Sequence, residues 1–202
     1  MLNWLNQNSQ LLNVAINAGM LCVWLLYAQL LLSSYRRQRR PRVLINQIKG
    51  YDLDSELLLS NMSEEVIFIQ GLLAVVEAEG DRVTTSVLTD VDIHNEHDRA
   101  GETRRVTTQG PLGAGSYMRL GSFQQLAGWV TPEASNISNW QVLEIRLIFL
   151  YGSEDDPIGV RRRFIVDTKD GVVNIAPESM DSERLTSRRQ RKQVRQWLRQ
   201  AI

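Results

Sequence analysis

LLNVAINAGMLCVWLLYAQLLL, residues Leu11 to Leu32, is the stretch around which the rest of this chain is organised. As a helix it rises about 33 Å, more than the ~30 Å hydrocarbon thickness of a bilayer. Eight leucines, two valines and Ile16 each favour insertion, and no charged side chain interrupts them. Even at a charge-like cost of about 3 kcal/mol, Asn17 would not reverse that balance. A cleavable signal peptide wants basic residues before its apolar core and small ones after it. Here Met1 to Gln10 is uncharged, and the run ends in Leu32, Ser33, Ser34 and Tyr35. The sequence therefore predicts an uncut transmembrane helix.

Its orientation follows from arginine bias. Arg36, Arg37, Arg39, Arg40 and Arg42 crowd the carboxyl flank and none precedes the span. The positive-inside rule then puts residues 1–10 outside and everything past the span in the cytoplasm, at the cell inner membrane. Ala15 and Gly19 form a small-xxx-small pair, and Asn17, one turn from Asn13, carries an amide that a second helix could satisfy. These residues suit self-association through the span; the alternative is that Ala and Gly are simply common in membrane helices and that Asn13 sits near the wet interface.

Beyond an arginine-rich linker, 33–42, the chain is long enough for one domain with its own core. The lone Cys22 lies inside the span, which excludes a disulfide framework. Net charge is zero, yet it is segregated: all 23 acidic residues fall between Asp52 and Glu183, while five basic residues lie at 36–42 and seven at 184–199. An acidic body is bracketed by basic ends.

Within 43–180 the signals are those of strands. Val43–Ile48, Leu57–Asn61 and Val66–Val76 come first, with Gly71 a candidate bulge. RVTTSVLTDVDI, Arg82–Ile93, alternates apolar and polar residues. Arg104–Thr108 and Tyr117–Leu120 are shorter candidates separated by a turn-rich 109–115, and Ser122 can cap a helical turn or two ending near Trp129. The strongest pair is VLEIRLIFLY, Val142–Tyr151, with GVRRRFIVD, Gly159–Asp167. Leu143, Ile145, Leu147 and Phe149 share one face of the first; Val160, Arg162, Phe164 and Val166 share one of the second. An inward Arg162 would need an acidic partner. A last strand, Val172–Ala176, follows a Lys-Asp-Gly turn. Strands at this spacing with little helix predict a mainly β chain: an immunoglobulin-like antiparallel sandwich, with a small barrel as the alternative.

Residues 181–202 read as a basic amphipathic helix starting at Asp181-Ser182-Glu183, where acids favour the positive end of the dipole. Val194, Trp197 and Leu198 recur at helical spacing behind Arg188, Arg189, Arg191, Lys192 and Arg195. Such a helix suits an anionic lipid surface, or packs on the acidic body. Nucleic acid is disfavoured because that body would repel a polyanion.

For chemistry, the one constellation to weigh is Asp90, Asp92, His94, Glu96 and His97, weak candidates for a metal because imidazole and carboxylate alternate without a recognised ligand spacing. Asp52, Asp54 and Glu56 lack the Gly and Glu positions of a calcium loop. No nucleophile elbow or phosphate loop is present, and no cofactor is implied. Asn61-Met62-Ser63 and Asn136-Ile137-Ser138 fit the glycosylation pattern, but under this orientation they read as turn residues. In layout alone the chain resembles small bacterial inner-membrane proteins. The expectation is a membrane-anchored adaptor or accessory subunit, not an enzyme, with lipids, a protein partner and itself as partners. The alternative is a regulatory module whose basic helix switches between lipid and the acidic domain, and a metal-dependent enzyme at His94 and His97 is third.

Overall fold

The computed structural model describes residues 9–38, 41–80, 82–88, 108–130, 137–152, 156–169 and 171–201. The chain divides after Arg40 into two units. The first contains one helix, α1 (Ser9–Gln38), unbroken because nothing in it is a proline or a charge until the arginines. Its Gln10–Ser33 portion is long and apolar enough to cross a membrane, and none of it is buried. The helix runs past the apolar stretch and takes in the backbone of Arg36 and Arg37; Arg39 and Arg40 lie outside the described residues.

The second unit, Pro41–Ile202, is mainly β in two sheets. Its strands are β1 (Val43–Ile48), β2 (Glu56–Asn61), β3 (Ile67–Ala78), β4 (Arg82–Val87), β5 (Gly110–Leu112), β6 (Tyr117–Ser122), β7 (Trp140–Tyr151), β8 (Ile158–Lys169), β9 (Val172–Pro177) and β10 (Glu183–Leu185). Two helices join them, α2 (Phe123–Val130) and α3 (Arg188–Ala201). One sheet runs β1-β2-β6; the other runs β10-β8-β7-β3-β4, with β5 added to β3 and β9 to β8, and every pairing is antiparallel.

Inward side chains of both sheets form one core. Val43, Ile45, Leu57 and Leu59 from the smaller sheet meet Leu143, Ile145, Leu147, Phe149, Val160 and Phe164 from the larger. The alternation in β7 and β8 is thus the expected one. In β3 it slips: Ile67 and Ile69 point inward, then Leu72, Ala74 and Val76 do, because the register shifts at Gly71. The bulge frees Leu73 and Val75 to be buried on the opposite face. Ser122 caps α2 reciprocally: its Oγ accepts from the Gln125 amide at 3.2 Å, and the Gln125 side chain accepts from the Ser122 amide at 2.9 Å. Phe123, Leu126, Ala127 and Val130 then bury one stripe, with Phe123 edge-on to Phe164 at 5.3 Å.

Two elements differ from expectation. Gly110–Leu112 is a short strand on β3 rather than part of a turn, and Pro111 is tolerated because β5 pairs on one side. The C-terminal helix does not start at Asp181. Glu183–Leu185 pairs with β8 instead, Glu183 opposite Arg161 and Leu185 opposite Gly159. Leu185 is buried and Glu183 is held by Arg161 at 2.8 Å, which together outweigh the helical preference. Ser187 caps the later helix, its Oγ accepting from the Gln190 amide at 3.3 Å. The expected strand to Ile93 is described only to Val87, and Arg104–Thr108 only at Thr108.

Candidate interaction surface

Helix α3 lies against the outer face of the larger sheet. Val194 and Trp197 are buried against Leu73, Ile148 and Leu185, with Leu198 and Ala201 partly covered. The approach is close because Gly159 offers bare backbone: a Cβ there would collide with Val194 Cγ2 and lie 3.3 Å from the Trp197 ring. Burying Val194 and Trp197 contributes about 1.5–3 kcal/mol each. The guanidinium of Arg146 stands 4.7 Å from the centre of the Trp197 ring. Arg146 is itself held by buried Glu144, which also faces Arg161 at 3.8 Å. Hydrogen bonding to Glu183, then attraction by Glu144, raises the pKa of Arg161. A carboxylate–guanidinium chain therefore lies in the sheet beside the docked helix.

Docking consumes the apolar stripe and leaves the basic one outside. Arg188, Arg189, Arg191, Lys192, Arg195 and Arg199 are all exposed. At 3.6 residues per turn, Arg188, Lys192, Arg195 and Arg199 fall on one ridge, roughly opposite Val194 and Trp197. Asp156 anchors the flank, 2.8 Å from Arg195 and 3.8 Å from Arg191.

Two buried polar side chains tie the sheets to each other. Arg162 does point inward, only 6% exposed, yet its partners are carbonyls rather than the expected acid. Nη1 donates to Ile45 O and to Asn46 Oδ1 at 2.7 Å; Nη2 donates to Ser179 O at 3.2 Å and Met180 O at 3.0 Å. Burial lowers its pKa, and attraction by Asp181 offsets part of that. These oxygens satisfy both terminal nitrogens of the planar fork without a formal counter-charge, while the buried Nε has no partner among the described residues. The side chain thereby links β1 of one sheet to β8 of the other. At the opposite end of β1 from Ile48, Asn61 is fully buried, its amide donating to Glu65 O, Leu112 O and Gly113 O at 3.0 Å each while its oxygen accepts from the Ser63 amide at 3.0 Å. Asn61 is thus a structural knot with no free amide to glycosylate. Asn136 lies outside the described residues.

The remaining sequence candidates separate. His94, Glu96 and His97 fall outside the described residues, and among those described no three His, Cys, Asp or Glu side chains converge as a metal site. Asp52 accepts from Ser55 Oγ at 2.9 Å and Glu56 pairs with Lys49, so these acids serve the β1–β2 connection. In α1, helical geometry sets Asn17 about 160° around the axis from both Ala15 and Gly19, so the amide and the small pair cannot share one flat interface. Arg42 is exposed, its amide donating to Ser63 Oγ at 2.9 Å. The Arg162 and Asn61 roles were missed from sequence because their partners are main-chain groups up to 117 positions away. No known protein family, curated protein or solved structure matches the chain.

Proposed function

We propose that the chain is a single-pass inner-membrane protein, N-terminus outside, whose cytoplasmic body is an immunoglobulin-like sandwich acting by binding: an adaptor or accessory subunit for a protein partner, without catalysis of its own. The observation that carries this is the pairing of an apolar helix long enough to cross a bilayer, Gln10–Ser33, with a body whose described buried core residues run from Val43 to Trp197. A helix apolar on every face needs apolar surroundings, and lipid would supply them. The body's exposed faces are what a partner would meet.

The switching alternative is less favoured, since releasing α3 would expose Leu73, Ile148 and Leu185 along with Trp197. The binding role is tested by site-specific photocrosslinking in cells from Tyr51 and Val83, both exposed on the body at the end away from Pro41. One discrete protein adduct lost on mutating neighbouring surface residues supports it. Adducts with lipid alone, or none, would reject the adaptor reading while leaving the anchor intact.

A further inference from the structure

The strand registers bring several exposed features to one end of the body. Val43 opposes Asn61, and Ser60 opposes Tyr117, so the start of β1, the end of β2 and the start of β6 coincide. Ile67 opposes both Leu112 and Tyr151, and Leu185 opposes Gly159, which places the start of β3, the end of β7, the start of β8 and the end of β10 together. The three Asn61 bonds, and Arg184 donating to Pro41 O at 3.0 Å, join these two groups. This is the end at which the chain enters the body at Pro41.

Exposed apolar side chains gather there: Met62 is 57% exposed, Val66 52% and Tyr117 61%. Basic charge gathers there too. Arg42 is exposed beside Met62, whose amide donates to Arg42 O at 2.8 Å. The Arg191 and Arg195 flank of α3 reaches Asp156, in the β7–β8 connection at this same end, so the ridge carrying Arg188 and Lys192 borders it. Among the described residues the acids at this end are Glu64, Glu65 and Asp156, the last already engaged by two arginines; Glu154 and Asp155 of the same connection lie outside the described residues. Apolar and aromatic tips rimmed by cations fit the headgroup region of an anionic bilayer, where each part finds its preferred surroundings.

We propose that the Pro41 end of the body is a lipid-facing surface, with Arg42, Arg188 and Lys192 on anionic phosphates and Met62, Val66 and Tyr117 at headgroup level. The assignment rests on the membrane-anchor reading for its orientation, because Pro41 is the first described residue of the body after the anchoring helix in sequence. It turns α3 into a clamp that works while docked, with its apolar stripe on the sheet and its basic ridge on lipid.

The test uses fragment 41–202, one of the two compact units and the one that holds every described core residue, and vesicles of phosphatidylcholine with or without phosphatidylglycerol. The fragment is expected to bind only the anionic vesicles and to lose binding in high salt. The pair Arg188→Glu and Lys192→Glu is expected to weaken binding at least about tenfold, and Tyr117→Ser several-fold, with cooperative melting retained. Equal or absent binding to both vesicles overturns the proposal, as does tighter binding to nucleic acid than to phosphatidylglycerol. Carbonate extraction of the full chain is scored separately: release from membranes removes the anchor reading, while the vesicle result still decides the surface. Should the fragment fail to melt cooperatively, the full chain in anionic nanodiscs decides, carrying Cys22→Ser and a nitroxide on Met62→Cys. Contact with lipid-soluble oxygen supports the surface, and access only to an aqueous relaxant overturns it.

Discussion

Replacing Trp197 with alanine removes the largest side chain holding α3 to the sheet. The indole is buried against Leu73, Ile148 and Leu185, and it also carries the face on which Arg146 rests 4.7 Å from the ring centre. Truncation of a buried tryptophan costs about 3–5 kcal/mol. The helix is the last element described, however, and its remaining buried anchor is Val194, worth about 1.5–3 kcal/mol. The loss therefore rivals the whole docking energy of α3, and the helix is expected to detach while the two-sheet core survives. Hydrogen exchange reads this directly: amides in 191–198 should lose protection by about 10²- to 10³-fold, at 1.4 kcal/mol per decade, while those of β7 and β8 change little. Unchanged exchange in 191–198, with stability lowered by less than about 1 kcal/mol, would refute the packing described here.

Three further outcomes are expected. Arg162→Met should destabilise by roughly 2–4 kcal/mol in chemical denaturation, because the carbonyls of Ser179 and Met180 lose the donor that Arg162 supplies and that of Ile45 keeps Ser182 Oγ at 3.4 Å in its place; Arg162→Lys should rescue little, since one ammonium cannot span acceptors that a planar fork reaches. A neutral or stabilising Arg162→Met would show that its desolvation outweighs its hydrogen bonds. Asn61→Asp should cost more than about 3 kcal/mol, as an acceptor-only carboxylate faces three carbonyl oxygens; a wild-type melting curve would contradict the knot. For pH, the raised pKa of Arg161, set first by its hydrogen bond to Glu183, gives a stabilisation complete below the ordinary arginine value and lost only as pH rises through the raised one. The lowered pKa of Arg162 disfavours its charged form, and since guanidinium titration lies far above neutral, neither group should shift melting between about pH 7.5 and 9.5.

Periodicity carried much of the fold. The two-residue alternation of β7 and β8 identified their inward faces because both strands have one side in a continuous core, and Gly71 announced its bulge because a residue without a side chain interrupts an otherwise apolar run. The capping Ser122 was legible for the same local reason. What escaped was settled at a distance. Glu183–Leu185 resembles a helix start until Arg161 and Gly159 are placed beside it, and nothing near Arg162 in the sequence names Ile45 or Met180 as its partner. The basic helix was visible as amphipathic, but only the bare backbone at Gly159 shows that its apolar stripe is seated on the sheet. That Met62, Val66 and Tyr117 lie at the Pro41 end was invisible in sequence, since strand register alone brings them there.

The central claim is that Gln10–Ser33 anchors a cytoplasmic body, and protease accessibility measures it most directly. With the chain expressed in intact spheroplasts, the body should resist added protease and become digestible only when the membrane is broken, with the protein remaining in the carbonate-insoluble fraction throughout. Digestion of the body in unbroken spheroplasts would contradict the orientation, and recovery of the intact chain in the soluble fraction would contradict the anchor.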